Sequence, residues 1–282
     1  MKNDVNAYVQ PGTGHKPTPE GSAAQDSARQ GLAPESLAIE VRGVTKSYGR
    51  TRVLDGLDLT LQWGQVLSVL GPNGSGKTTL LKILATLTRP DAGSVRIAGM
   101  DPDKAASRVR RATGVVMHDP MLYADLTGRE NLRFFCRMFG LDGSEERIAE
   151  SVRRVGMTSR LDQRVGTLSH GMQKRFSIAR ALLHRPRVLL MDEPESGLDL
   201  SAIELMRDVV TATKAGGGAV LLVTHNFDQA LGLGDRLAIL GRGKVAHEEA
   251  LRPVQGAAGG KANTTSPEAL RELYLKHSGE SR

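Results

Sequence analysis

At 282 residues, 39% of them hydrophobic and 24% charged, the chain has room for one large α/β domain with tails or for two small domains. No apolar run approaches the length of a bilayer-spanning helix, and the single cysteine, Cys136, excludes an intrachain disulfide and a cysteine-rich metal site. The net charge of +7 suits nucleotides, anionic headgroups or nucleic acid without choosing among them, whereas an aromatic content of 4% argues against reading single strands by base stacking.

Residues 1–36 are rich in Gly, Pro, Ser, Ala, Gln and charge without an apolar period, and read as a disordered leader. The polar stretch Met1 to Gln10 reads as no secretory signal, so a cytoplasmic chain is expected unless a partner holds it at a membrane. From Leu37 apolar residues alternate (Ile39, Val41, Val44; Val53, Leu57, Leu59, Leu61), which predicts antiparallel strands leading into the buried run Val66–Leu70. Next comes Gly71-Pro72-Asn73-Gly74-Ser75-Gly76-Lys77-Thr78-Thr79, a G-x-x-x-x-G-K-[ST] sequence, followed at helical spacing by Leu80, Leu81, Ile83 and Leu84. Glycines let the backbone wrap phosphate oxygens, and the free N–H groups and dipole of the helix start favour negative charge. Lys77 supplies a charge for the β- and γ-phosphates, and Thr78 a hydroxyl ligand for Mg²⁺. The segment predicts binding of a nucleoside triphosphate.

A turn at Asp91-Ala92-Gly93 is expected before a strand at Ser94–Ile97, and the basic run Lys104, Arg108, Arg110, Arg111 reads as a solvated helix face. Helical spacing (Leu132, Phe135, Phe139; Ile148, Val152, Val155) predicts a helical insert over about residues 126–184, with Cys136 a packed thiol among phenylalanines. Within it, Ser169 fits a helix N-cap and Gly171 would admit a phosphate to the first turn; a plain capped helix and a second anion site both remain open for this segment alone. The apolar run Val188–Met191 ends in Asp192-Glu193. At a strand end beside a phosphate loop, Asp192 is placed to hold Mg²⁺ and Glu193 to polarise the attacking water. A helix after Asp199, a strand at Ala219–Val223, a short helix after Asn226 and a strand at Arg236–Leu240 complete a doubly wound, mostly parallel sheet. Residues 249–282 read as a partly loose tail, with a short helix at Pro267–Lys276.

These motifs, in this order, resemble the nucleotide-binding subunit of an ABC transporter over about residues 37–248. Gly71–Thr78 resembles Walker A, Val188–Glu193 Walker B, and Leu168–Gln173 the signature motif. Asp199, in Ser-Gly-Leu-Asp, resembles the D-loop residue, His225 the switch histidine, and Tyr48, in Lys-Ser-Tyr-Gly, the aromatic that stacks on adenine. Read singly, Tyr48 would be a strand-end packing residue and His225 a satisfied histidine after a strand. The resemblance implies a P-loop ATPase with a RecA-like, mostly parallel core, an antiparallel β subdomain and an α-helical subdomain. It implies two such domains head to tail, with ATP and Mg²⁺ between Walker A of one and Ser169, Gly171, Met172 and Gln173 of the other. His225 would contact the γ-phosphate and hold Glu193 and the water in line, and Asp199 would communicate across the interface. The second ATPase subunit is the same chain or another.

The chain departs from the family pattern in two places. His118 stands where the family carries a glutamine, so it could serve the Mg²⁺ shell and water, or be structural. Gly171-Met172 replaces Gly-Gln, with Gln173 one residue later. Val-Val-x-His, Glu-Asn-Leu-Arg-Phe-Phe and Ser-x-Gly-Met-Gln-x-Arg are similar to the haem exporter ATPase of cytochrome c maturation, and also to drug or lipid exporters of the ABC-2 type. Outside transport, soluble ABC ATPases of DNA repair or translation are the alternative; their coiled coils or paired cassettes are not apparent here, and no nucleic-acid partner is expected. Transmembrane permease subunits are the expected partners. They would dock near His118–Tyr123 and Arg129–Phe139, with the chain peripheral on the cytoplasmic face of the cell membrane.

Overall fold

The computed structural model describes residues 37–142, 144–251 and 266–278. The leader expected over 1–36 and the loose stretch expected over 254–265 lie outside these residues.

Two sheets carry the fold. The smaller is antiparallel, in the order β2-β1-β4, from β1 (Ile39–Tyr48), β2 (Thr51–Leu61) and β4 (Ala92–Ile97). The larger has the order β5-β6-β7-β3-β8-β9, from β3 (Val66–Leu70), β5 (Thr113–Val116), β6 (Val188–Asp192), β7 (Ala219–Val223), β8 (Arg236–Gly241) and β9 (Lys244–Ala250). All its pairs are parallel except β8 with β9. Strands β3, β6 and β7 are buried along their whole length, as expected of a parallel sheet covered on both faces.

Alternation along these strands divides the core. Val188, Leu190, Leu221 and Val223 face the small sheet and α1 (Lys77–Leu84). Leu189, Met191, Val220 and Leu222 face the layer containing α3 (Gly128–Phe139), α4 (Ser144–Arg154), α5 (His170–Leu182) and α6 (Leu200–Ala215). The insert helices are set by local signals. Thr127 and Glu130 form a reciprocal capping box on α3, and Gly140, at φ 61°, ends it. Cys136 is fully buried, and burial pushes its thiol pKa up. On α2 (Pro102–Ala112) the basic residues are exposed and Val109 alone is buried.

Three expectations need correction. Ala92 and Gly93 belong to β4 and not to a turn, because Ala92 pairs with Thr45 of β1. The expected boundary at residue 248 falls inside β9, whose register with β8 runs to Arg236↔Ala250. The expected tail also packs on the core: α8 (Pro267–Ser278) follows α7 (Phe227–Leu233) and buries Leu270 completely against Leu70, Ala230, Leu237 and Ile239. Burying one leucine stabilises by about 2 kcal/mol, and Leu273 and Tyr274 add to the contact that seats this helix on α7, β8 and β9.

Candidate active site

The C-terminal ends of β3, β6 and β7 converge at one edge of the large sheet, where an open α/β fold places its ligand. Gly71–Gly76 leave β3 there. Gly76, at φ 104°, caps α1 with no side-chain hydrogen bond, so the first-turn amides lack a side-chain acceptor. A Cβ on Gly76 would lie 2.5 Å from Leu54 Cδ2 and 3.0 Å from the Val53 carbonyl, so β2 sits directly against the loop. Ser75 Oγ is buried with no hydrogen-bond partner among the described residues. Lys77 Nζ donates to the Gly71 and Pro72 carbonyls at 2.7 and 2.9 Å. Burial pulls the Lys77 pKa down, while Glu193 and Asp192 oppose the shift. An uncapped helix start, an orphaned hydroxyl and a buried ammonium form a cradle that fits phosphate oxygens.

Thr78 Oγ1 donates to Asp192 Oδ2 at 3.1 Å. Asp192 is 2% exposed, and burial raises its carboxyl pKa, with the Thr78 bond opposing. Two oxygen donors meeting beside a phosphate cradle suit a hard divalent cation such as Mg²⁺. Glu193 follows at φ 45°, a left-handed backbone that costs a glutamate about 1–2 kcal/mol. Its N–H donates to the Val223 carbonyl at 2.9 Å, and its carboxylate lies 3.4 Å from His225 Nδ1. Thr224, between β7 and His225, is buried and hydrogen-bonded to Glu195 through its hydroxyl, which also accepts from the Asn226 N–H. Tyr48 ends β1 with its ring half exposed, 5.7 Å from Lys46 Nζ.

Lys77, Thr78, Asp192, Glu193 and His225 therefore form one cluster. Ser169, Gly171 and Asp199 form another, with no hydrogen bond, ion pair or ring contact joining the two among the described residues. Ser169 caps α5, accepting from the Met172 N–H at 3.3 Å. A Cβ on Gly171 would come within 2.8 Å of the Gly197 carbonyl. Met172 packs on the helical core. His118 is exposed on the loop after β5, its ring centroid 6.4 Å from that of His170.

One residue differs from its expected placement. Gln173 turns inward, its Nε2 donating to the Val165 and Leu168 carbonyls at 3.1 Å each, which ties the first turn of α5 to the loop before it. Asp199 caps α6 through the Ala202 N–H at 2.8 Å and pairs with Arg175 at 2.9 Å. The helix-start N–H bond is the main cause of its lowered pKa. Sequence reasoning also missed Lys174, which is 0% exposed and donates to the Met117 carbonyl at 2.9 Å. Its signal was position: Lys174, Ile178 and Ala181 lie at i, i+4 and i+7 on one helix face.

A shallow cavity of about 190 Å³ opens between α1, α2, α3 and α5, lined by Leu84, Leu87, Val109, Met121, Phe135 and Phe139 among others. His184 lies in its wall, stacked on Phe139 at 4.1 Å, and burial lowers its pKa to about 4. Phe135 packs on the helical core and Phe134 meets Tyr123 edge-on, so these aromatics serve the fold and the cavity together.

The sequence pattern of the ABC transporter family matches residues 54–196, which run from β2 through the phosphate loop to just past Glu193. The chain belongs to the ABC transporter family. This ABC ATPase is 37% identical over 243 residues to the doxorubicin resistance ATP-binding protein DrrA of Mycobacterium tuberculosis strain H37Rv, covering 85% of this chain and 73% of DrrA. It is 40% identical over 216 residues to the Nod factor export ATP-binding protein I of Burkholderia thailandensis, covering 76% of this chain and 71% of that protein. The solved dimeric cassette MJ0796, in a post-hydrolysis state bound to ADP and Pi, superposes with a TM-score of 0.70 at 30% identity, covering 77% of this chain and 100% of that one.

Proposed function

We propose that this chain is the ATPase subunit of an exporter of the ABC-2 type, turning over Mg-ATP at sites shared between two cassettes. The observation that carries the reading is the convergence of Lys77, Thr78, Asp192 and the Glu193–His225 pair at one sheet edge. Lys77 and the amides of Gly74–Thr79 bind the phosphates, and Tyr48 stacks on the base. Thr78 and Asp192 would hold Mg²⁺, which supplies charge neutralisation at the β- and γ-phosphates. Glu193 accepts the proton of the attacking water, and His225 keeps that carboxylate oriented toward the γ-phosphate. Ser169 and Gly171 complete the site of the second cassette, and Asp199 lies at the joint. His118, on the neighbouring loop, would reach the water or the metal shell. The dimeric relative bound to ADP and Pi supports this sharing.

The export direction rests on the two relatives named for doxorubicin resistance and Nod factor export. Neither is named for haem, and the haem reading draws no support from them. No described helix is long and apolar enough to cross a membrane. We infer that permease subunits hold the chain at the cytoplasmic face by seating an apolar segment in the cavity beside Met121, Phe135 and Phe139.

Glu193→Gln tests the reading. Turnover should fall about 1,000-fold while Mg-ATP binding persists and a nucleotide-dependent dimer accumulates, measured by phosphate release and light scattering. Hydrolysis within a few fold of the parent would remove Glu193 from its role.

A further inference from the structure

We infer that Lys174 is a positioning residue that ties the chain's own phosphate site to the helix start it presents to a second copy. The inference rests on the shared-site reading above. Lys174 lies early in α5, five residues after the Ser169 cap, and is completely buried. Its ammonium donates to the Met117 carbonyl at 2.9 Å and the His118 carbonyl at 3.4 Å. Among the described residues no carboxylate lies within 4.0 Å of that ammonium, so the charge is held by main-chain dipoles and the field of more distant acids. Those acids are Asp192, Glu195, Glu193 and Asp119, and they partly offset the burial that lowers its pKa.

The position of these groups gives the charge a task. Val116 pairs with Met191, so the Met117 carbonyl stands at the sheet edge one strand from Asp192. On its other side, α5 is bracketed by the loop after Glu193: Gly171 abuts the Gly197 carbonyl, and Arg175 pairs with Asp199. Lys174 thus links α5 to the loop leaving β5, while Gly171 and Arg175 link it to the loop leaving β6. A cation and phosphates held beside Asp192 would change the field at Lys174, and the ammonium would pass that change to α5 through the Met117 and His118 carbonyls that it binds. Replacing Lys174 by an uncharged chain of similar length removes that dependence and leaves the phosphate loop untouched.

The test is Lys174→Met. Binding of a fluorescent ATP analogue to the dilute single chain should stay within about 3-fold of the parent. In the Glu193→Gln background, ATP-dependent dimerisation followed by light scattering should weaken at least 10-fold, and in the parent background the Hill coefficient for ATP should fall to 1. A merely structural lysine would lower binding and dimerisation together, and that result overturns the inference, as does a variant that dimerises like its parent. Should the methionine variant not fold, hydrogen exchange on the dilute wild-type chain decides. Mg-ATP should change protection of residues 117–120 and 169–174 together, and no change at the second segment overturns the proposal. If Glu193→Gln alone forms no ATP-dependent dimer, the shared-site reading itself fails.

Discussion

The starts of α1 and α5 sit in the two clusters of the candidate site, and they satisfy their free amides differently. Helix α1 begins at Gly76, which offers no side chain, and the hydroxyl just before it, Ser75 Oγ, is buried without a partner among the described residues. Helix α5 begins at Ser169, whose hydroxyl is already engaged with the Met172 N–H. The first is a donor-rich pocket with a lysine folded over it, which can grip phosphate within a single chain. The second is stable by itself and exposes Ser169 at the protein surface, so it suits a contact made only when another surface arrives. One helix start is completed by its ligand and the other by itself.

Substitutions can break this contrast. Lys77→Ala should produce the largest change: nucleotide affinity of the single chain falls at least about 100-fold, near 3 kcal/mol, because a buried charge on the phosphates is lost. Isothermal titration checks it. An affinity within a few fold would mean that the backbone amides alone grip the nucleotide.

The far end of α5 supplies a pH test. His184 titrates at about 4 in the folded chain and near 6.5 when unfolded, so its neutral form is favoured by folding. Stability is then complete above pH 6.5 and declines as pH falls toward 4, with about 2 kcal/mol lost by pH 5. Urea unfolding at pH 7.5 and 5.0 measures the loss, and His184→Gln should remove that share of it. An equal loss in the variant would assign the pH dependence to other groups.

The smallest effect is expected at Ser169. Ser169→Ala should lower stability by about 1 kcal/mol, the value of a helix cap, and leave single-chain nucleotide affinity unchanged. In the Glu193→Gln background it should weaken ATP-dependent dimerisation about 10-fold. A drop in single-chain affinity would place Ser169 in the chain's own site and erase the contrast between the two helices.

Much of the first helix start was legible from the chain because its parts are contiguous: an apolar strand, a glycine turn and a helix within about 20 residues. Asp192 and Glu193 were legible for the same reason, since four buried apolar residues lead directly into them. The second cluster was only half legible. Ser169 as a cap follows from its neighbours, but the inward turn of Gln173 depends on carbonyls at 165 and 168, and the charge on Asp199 is shared with Arg175. The strand β9 escaped notice because its burial is partial and its residues are polar (Lys244, His247, Glu248, Glu249), as an edge strand allows.

By itself the sequence determined the strand–loop–helix cradle, the acids at the end of β6 and the order of alternating strands and helices. Each rests on the periodicity and backbone freedom of neighbouring residues. Only the tertiary structure decided that Leu270 belongs to the core and that Lys174 is buried beside the carbonyls of Met117 and His118. These are contacts between residues 31 to 200 positions apart, and they exist because strand pairing and core packing close the long loops between them.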